Sequence, residues 1–281
     1  MSIARDFWTV LEPLHTVTYF SPECVDGNKE VGLKGYWMGY FGSRGAPLGP
    51  VPASVIEAAF HGFHPRLVRR AVPDAWTFAS PESILRTREA AAAKALRRLT
   101  HGFDDVAAGA LPRLRAAVEA ADGAGRVLFA ANRELTEPAD PVAALWQLAT
   151  TLREHRGDGH IAILTAESLN GLEANVLAAA VGNVPADLMM QTRGWTPEEW
   201  DEATGALAAR GLVDGNGGAT ETGRTLKADI ERRTDSLAAR PYQALDDPEA
   251  LHRILAPFAR TVANRGDMPF PNPVGLPRQP M

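Results

Sequence analysis

A single cysteine, Cys24, stands in 281 residues, so no intramolecular disulfide and no cysteine-rich zinc site can form, and a reducing, cytoplasmic setting is the expectation. As one small apolar side chain it reads as a core residue rather than a nucleophile. Excess positive charge is also lacking: 29 lysines and arginines against 34 aspartates and glutamates leave a net charge of −5 and a pI near 5.8. That balance offers no global attraction to nucleic acid or anionic lipid. No stretch approaches the roughly 20 apolar residues of a membrane span, and residues 1–10, with Arg5 and Asp6, lack the apolar run of a signal peptide. Missing too are a phosphate-cradling glycine loop, a dinucleotide fingerprint, a serine-elbow motif and any complete zinc signature. His61 with His64 and His155 with His160 supply imidazoles, yet the second pair is not at helical i, i+4 spacing. Neither a cofactor nor a metal is expected.

What remains is an alanine- and leucine-rich chain whose 45 % hydrophobic and 22 % charged residues suit a globular protein with a sizeable core. Apolar residues at helical spacing run from Ile3 to Phe20, with Pro13 expected to kink or divide the helix. Tyr36, Trp37, Tyr40 and Phe41 form an aromatic face, and residues 42–49, rich in glycine, read as a turn that leaves Arg44 isolated among small residues. Ser80, Pro81 and Glu82 open a helix to about Leu99, and a second helical region, interrupted or bent at Pro112, spans 103–121. Residues 132–140 read as a loop ending in Asp140, a helix cap followed by Pro141 at the first helical position. The expected division is therefore an N-terminal helical domain over 1–135, a C-terminal domain over 136–265, and a proline-rich tail over 266–281.

The helix from Pro141 leads into the most charged stretch of the chain, LREHRGDGH over 152–160, where Gly157 and Gly159 are expected to end it. Glu154, His155 and Asp158 offer a general base and acid partners; Arg156 and Arg44 offer anion clamps. His160, Tyr40, Trp37 and His64 complete the candidate site, with His155, Asp158 and Glu154 in the catalytic role and the others holding a ligand. The same residues would also serve as a buried polar network that caps helix ends and pins two halves together. Arg44-Gly45, Glu57-Ala58, Pro65 and Trp76 recur in order as Arg156-Gly157, Glu173-Ala174, Pro185 and Trp195. This echo suggests a mostly α fold of two pseudo-duplicated, winged-helix-like halves with a ligand cleft between them.

Further on, Thr196, Pro197 and Glu199 form a capping box that opens a helix to Arg210. Residues 211–213, a glycine-rich turn over 214–218 and a helix from 220 to about Leu237 then predict a short β-hairpin wing.

Two resemblances rest on these residues. Residues 19–23 (YFSPE), 39–44 (GYFGSR), 46–49 (APLG), 73–76 (PDAW), 152–160, 193–195 (RGW) and Thr234-Asp235 resemble a family of actinobacterial proteins described only as carrying a helix-turn-helix. Residues 199–237 are similar to the winged-helix half of multiple-antibiotic-resistance-type regulators. The second resemblance implies a DNA-binding regulator responding to a small ligand. Against that stands the chemistry of the would-be recognition helix, whose 197–202 segment holds four carboxylates and whose following turn holds no cation, where phosphates demand lysine and arginine. The expected function is thus binding of an organic small molecule, aromatic or carboxylate-bearing, as an enzyme or sequestering protein of actinobacterial secondary metabolism, with the regulator as the alternative.

Overall fold

A computed structural model describes residues 2–265 and 267–278. Among them the chain forms sixteen α-helices and no strand. The first are α1 (Ile3–Phe20), α2 (Pro22–Glu30) and α3 (Gly35–Gly45), the last running into a 3-10 turn at Ala46–Leu48. Three short helices, α4 (Ala53–Phe60), α5 (Pro65–Arg69) and α6 (Ala75–Phe78), lead to α7 (Pro81–Leu99) and α8 (Phe103–Ala120). After α9 (Val127–Arg133) comes the longest element, α10 (Pro141–Ala166), then α11 (Gly171–Ala180), α12 (Ala186–Arg193) and α13 (Pro197–Ala209). The chain closes with α14 (Glu221–Leu237), α15 (Arg240–Gln243) and α16 (Pro248–Arg265).

Local chemistry explains most of the starts. Ser80 accepts from the Ser83 N–H to cap α7, Asp140 accepts from Val142 and Ala143 to cap α10, and capping boxes Asn170/Glu173 and Thr196/Glu199 open α11 and α13. Pro13 and Pro112 lie inside α1 and α8 without dividing them.

Several expectations are corrected. Helix α10 passes through Gly157 and Gly159 for 26 residues, so neither glycine ends it. Two glycines in a helix interior cost about 1 kcal/mol each relative to alanine, and the packing of α1, α7, α8, α9 and α14 around this helix outweighs that preference. Arg44-Gly45 and Arg156-Gly157 are accordingly helical rather than turns. The β-hairpin wing is absent among the described residues: a single antiparallel bridge, Val213 to Ala219, remains. Its ladder has no room to grow, because Leu212 and Val213 turn into the core while the Thr220 hydroxyl already caps α14 by accepting from Gly223 N. Helix α16, for which the sequence reading made no provision, packs Leu251, Leu255 and Ala259 into the main core.

That main core gathers α1, α7, α8, α10 and α16 around Trp146, whose indole donates to the His15 carbonyl at 3.3 Å. It draws on residues from either side of position 135. A second cluster lies among α3 to α7, a third among α11 to α14 and the end of α10, and a small fourth holds Met268 and Leu276 of the tail. No helix among the described residues is long and apolar enough to cross a membrane.

Because Leu255 is fully buried, Leu255→Ala is expected to cost about 2–5 kcal/mol in urea unfolding. An unchanged midpoint would show that α16 does not belong to the cooperative core.

Candidate functional site

Residues 153, 156, 157, 160, 161 and 164 recur at i, i+3 and i+4 spacing, so they share one face of α10. That face lines a cavity of about 920 Å³. Trp8 and Arg5 of α1, Tyr40 and Arg44 of α3, Arg193 at the end of α12, and Lys227 and Glu231 of α14 complete its polar part, and residues 270–277 of the tail form one side.

The floor is a chain of buried charges. Glu154, 1 % exposed, accepts from Arg44 Nε at 2.9 Å and Nη2 at 3.0 Å in a bidentate pair, and from Arg153 Nη1 at 3.1 Å. Arg153 also donates from Nε to Glu12 at 3.3 Å, and the Arg44 guanidinium lies over the Phe60 ring at 4.2 Å. Burial pushes the Glu154 carboxyl upward, but the two arginines over-compensate and hold it well below the usual carboxylate range. Above this floor, Glu231 and Asp235 bind Arg5 and Arg156, and Glu231 takes Lys227 as well at 2.5 Å.

Arg193 differs from every other cation of the cavity. It donates to the Pro273 carbonyl at 2.8 Å, hydrogen-bonds the Tyr40 hydroxyl and lies over the Phe63 ring at 4.3 Å, but no carboxylate pairs with it among the described residues. Burial lowers its pKa, as expected for a guanidinium lacking a counter-charge.

The nine-residue motif is therefore divided by the helix that carries it. Arg156 and His160 line the cavity, and Arg44 and Tyr40 join them from α3. Glu154 sits in the floor with both oxygens occupied. His155 and Asp158, expected to act beside Arg156, instead face α9: the imidazole packs edge-on to Phe129 at 4.9 Å, and Asp158 accepts from the Phe129 N–H at 2.9 Å. Burial, with Arg126 nearby, pushes His155 down to about 4, and burial pushes Asp158 up to about 6. His160 accepts or donates at Thr234 Oγ1, 2.9 Å away, and burial and then Lys227 push it down to about 4, so it is neutral at neutral pH. Trp37 packs among Tyr36, Tyr40, Phe41 and Phe63, and His64 pairs with Glu199 at 2.8 Å while its Nδ1 accepts from Arg66 N. Neither lines the cavity. Among the described residues no three His, Cys, Asp or Glu side chains are grouped to hold a metal ion.

Arg5, Glu12, Arg153, Arg193, Lys227, Glu231 and the tail went unrecognised in the sequence. Lys227 and Glu231 at i, i+4 were visible as a helical ion pair, but nothing local links them to Arg193 or to residues 270–277.

A second feature concerns α12 and α13. They are joined by Gly194, Trp195 and Thr196, with Gly194 in the left-handed region (φ 81°), which is the spacing of a helix-turn-helix. The N-terminal end of α13 is docked within the chain: His64 N donates to the Arg193 carbonyl at 2.9 Å, Trp195 Nε1 donates to Gly62 O at 3.1 Å, and Glu199 takes His64. Its exposed face carries Glu198, Asp201 and Glu202. Arg210 and Arg224, the cations on either side of the bridge, donate to the carbonyls of Glu167, Ser168 and Ala219.

A family model described as a helix-turn-helix family matches residues 4–269. No curated protein and no solved structure matches.

Glu154 and Asp158 should respond oppositely to loss of charge. Glu154→Gln leaves two buried guanidinium groups under-compensated and is expected to cost about 3–5 kcal/mol. Asp158 is ordinary in the unfolded chain and raised to about 6 in the fold, so the folded state binds the extra proton and its stability falls as pH rises from about 4 to 6. Asp158→Asn, whose amide oxygen still accepts from Phe129 N, should match the parent near pH 4 and exceed it above pH 6 by up to about 3 kcal/mol. Urea unfolding at the two pH values checks both; a destabilised Asp158→Asn at pH 7 would refute the assignment.

Proposed function

The chain belongs to a helix-turn-helix family, and we propose that it works as a receptor for an organic anion, bound in the cavity beneath the tail. The observation that carries this reading is Arg193, a guanidinium facing the cavity with a carbonyl, the Tyr40 hydroxyl and an aromatic ring for partners and no carboxylate among the described residues. A retained, largely desolvated cation without a counter-ion costs stability unless an anion arrives to match it. Tyr40 and Phe63 supply flat apolar surface beside it and Trp8 supplies more beside Arg5 and Arg156, which suits an aromatic or carboxylate-bearing molecule. In the same reading Arg44 comes from residues 1–135 and Arg156 and Arg193 from residues 136–265, two stretches of chain that share the main core.

The family's description and the α12–α13 geometry favour a second reading, a DNA-binding regulator. A recognition helix reads bases from its N-terminal end and needs cations for phosphates. Helix α13 has that end docked on His64 and Gly62, and its exposed carboxylates would repel a duplex. The receptor reading therefore stands ahead of it.

Titration with 8-anilinonaphthalene-1-sulfonate, a fluorescent aromatic anion, is expected to give one saturable site, and Arg193→Met should weaken it by about tenfold or more, the value of a charge-assisted contact. Equal binding by the two folded proteins would sink the proposal. In gel-shift assays at about 150 mM salt, where surface charges are screened beyond about 8 Å, no sequence-dependent retardation of duplex DNA is expected; such a shift would establish the regulator instead.

A further inference from the structure

The cavity's charges do not cancel. Arg5, Arg156 and Lys227 meet two carboxylates, Glu231 and Asp235. Arg44 and Arg153 meet two more, Glu12 and Glu154. Arg193 has none among the described residues, so two cations are in excess, one in the Arg5–Arg156–Lys227 group and one at Arg193, within electrostatic reach of Arg44 and Arg153. His160 adds no charge at neutral pH. The excess is matched by two negative charges on a ligand.

The cavity also has a direction. Along α10 its lining residues run Arg153, Arg156, Gly157, His160, Ile161, Leu164, from cationic to apolar. Beyond Leu164 the wall continues through Leu169, Leu177, Val184 and Met189, all members of the apolar cluster among α11 to α14. A molecule filling this space needs a charged end against the first two turns of the ridge and an apolar body against the last two. The volume, about 920 Å³, lies at the upper end of ordinary ligand sites, about 300–1,000 Å³.

Gly157 marks the passage between the two. Glycine in a helix interior is disfavoured against alanine, so its presence needs a reason. For Gly159 the reason is packing: a Cβ there would stand 2.6 Å from Arg126 Nη1, whose guanidinium lies across the helix to reach the His155 carbonyl. At Gly157 no such reason exists. Its φ is not in the left-handed region, and a Cβ would meet only Glu154 Oε2 at 3.4 Å and Arg153 Nη1 at 3.8 Å, ordinary contacts. What a side chain at 157 would occupy is cavity.

We infer that the ligand is an amphiphilic dianion, a head with two negative charges on an apolar body, lying along α10 with its neck across Gly157. This rests on the receptor reading above. The head is held by Arg193 and the Arg156–Lys227 group, the body by Ile161, Leu164 and Met189, and Gly157 sets how thick a neck can pass.

Calorimetry at pH 8 with decyl phosphate, decylmalonate, decanoate and decanol, each below its aggregation threshold, tests this on the full chain. Both dianions should bind at least tenfold more tightly than decanoate, and decanol most weakly; the order of phosphate and malonate heads identifies which source of dianion the site takes. Gly157→Ala is expected to raise the melting temperature by about 1–3 °C and yet weaken the dianions at least tenfold, with Gly157→Leu, folded by circular dichroism, weaker still. Equal affinity for decanoate and decyl phosphate would overturn the dianion, and undiminished binding by Gly157→Leu would overturn the path across Gly157. Both results leave the receptor reading intact, whereas failure of the wild-type chain to bind 8-anilinonaphthalene-1-sulfonate or any decyl compound would remove that reading itself.

Discussion

The bidentate grip of Arg44 on Glu154, extended through Arg153 to Glu12, is the constraint on which the rest of the molecule depends. It joins α3, α10 and α1 at one buried point, and each carboxylate and guanidinium in it would be ruinous alone. Buried ion pairs are weak evidence for stability, but losing one partner leaves a buried charge uncompensated, and the packing here satisfies Arg44, Arg153, Glu12 and Glu154 together. Here that packing brings the aromatic face of α3 beside the charged end of the α10 ridge. The cavity is the space left above the floor so formed.

Helix α10 acts as a partition. One face of it is cavity, a second is occupied by α9 through Phe129, and a third meets α1, α7 and α8 in the main core. Residues two positions apart in sequence therefore serve unrelated ends: Arg156 faces a solvent-reachable space while Asp158 takes a backbone N–H in a dry one. The two histidines of the motif are likewise separated, and burial keeps both neutral. Among the described residues, His155 and Asp158 lie against Phe129 of α9 while Glu154 lies in the floor between Arg44 and Arg153.

The relation between α12, α13 and the segment around His64 shows how a helix-turn-helix shape separates from its best-known use. The turn through Gly194 has the required length, but the end that would enter a groove is already bonded to its own chain. Arg193, which closes α12, is thereby turned toward the cavity and the Pro273 carbonyl.

Much of the helical frame was legible residue by residue: serine, aspartate, asparagine and threonine caps, prolines at first helical positions and apolar periodicity act within a turn or two and are written in neighbouring residues. The clustering of charge over 152–160 and the acidity of 197–202 were equally plain. Glycine misled, since Gly157 and Gly159 carry the local mark of a helix end, and only neighbours from five other helices outweigh it. The wing failed for a related reason, as two residues pulled into a core leave no ladder. Which face of α10 each charge occupies, that Arg193 and Lys227 line one cavity with Arg153 across long separations in sequence, and that residues 270–277 wall it were decided by tertiary packing alone. Those facts depend on how surfaces fit after the helices form, and charge and volume are balanced there over the whole site rather than along the chain.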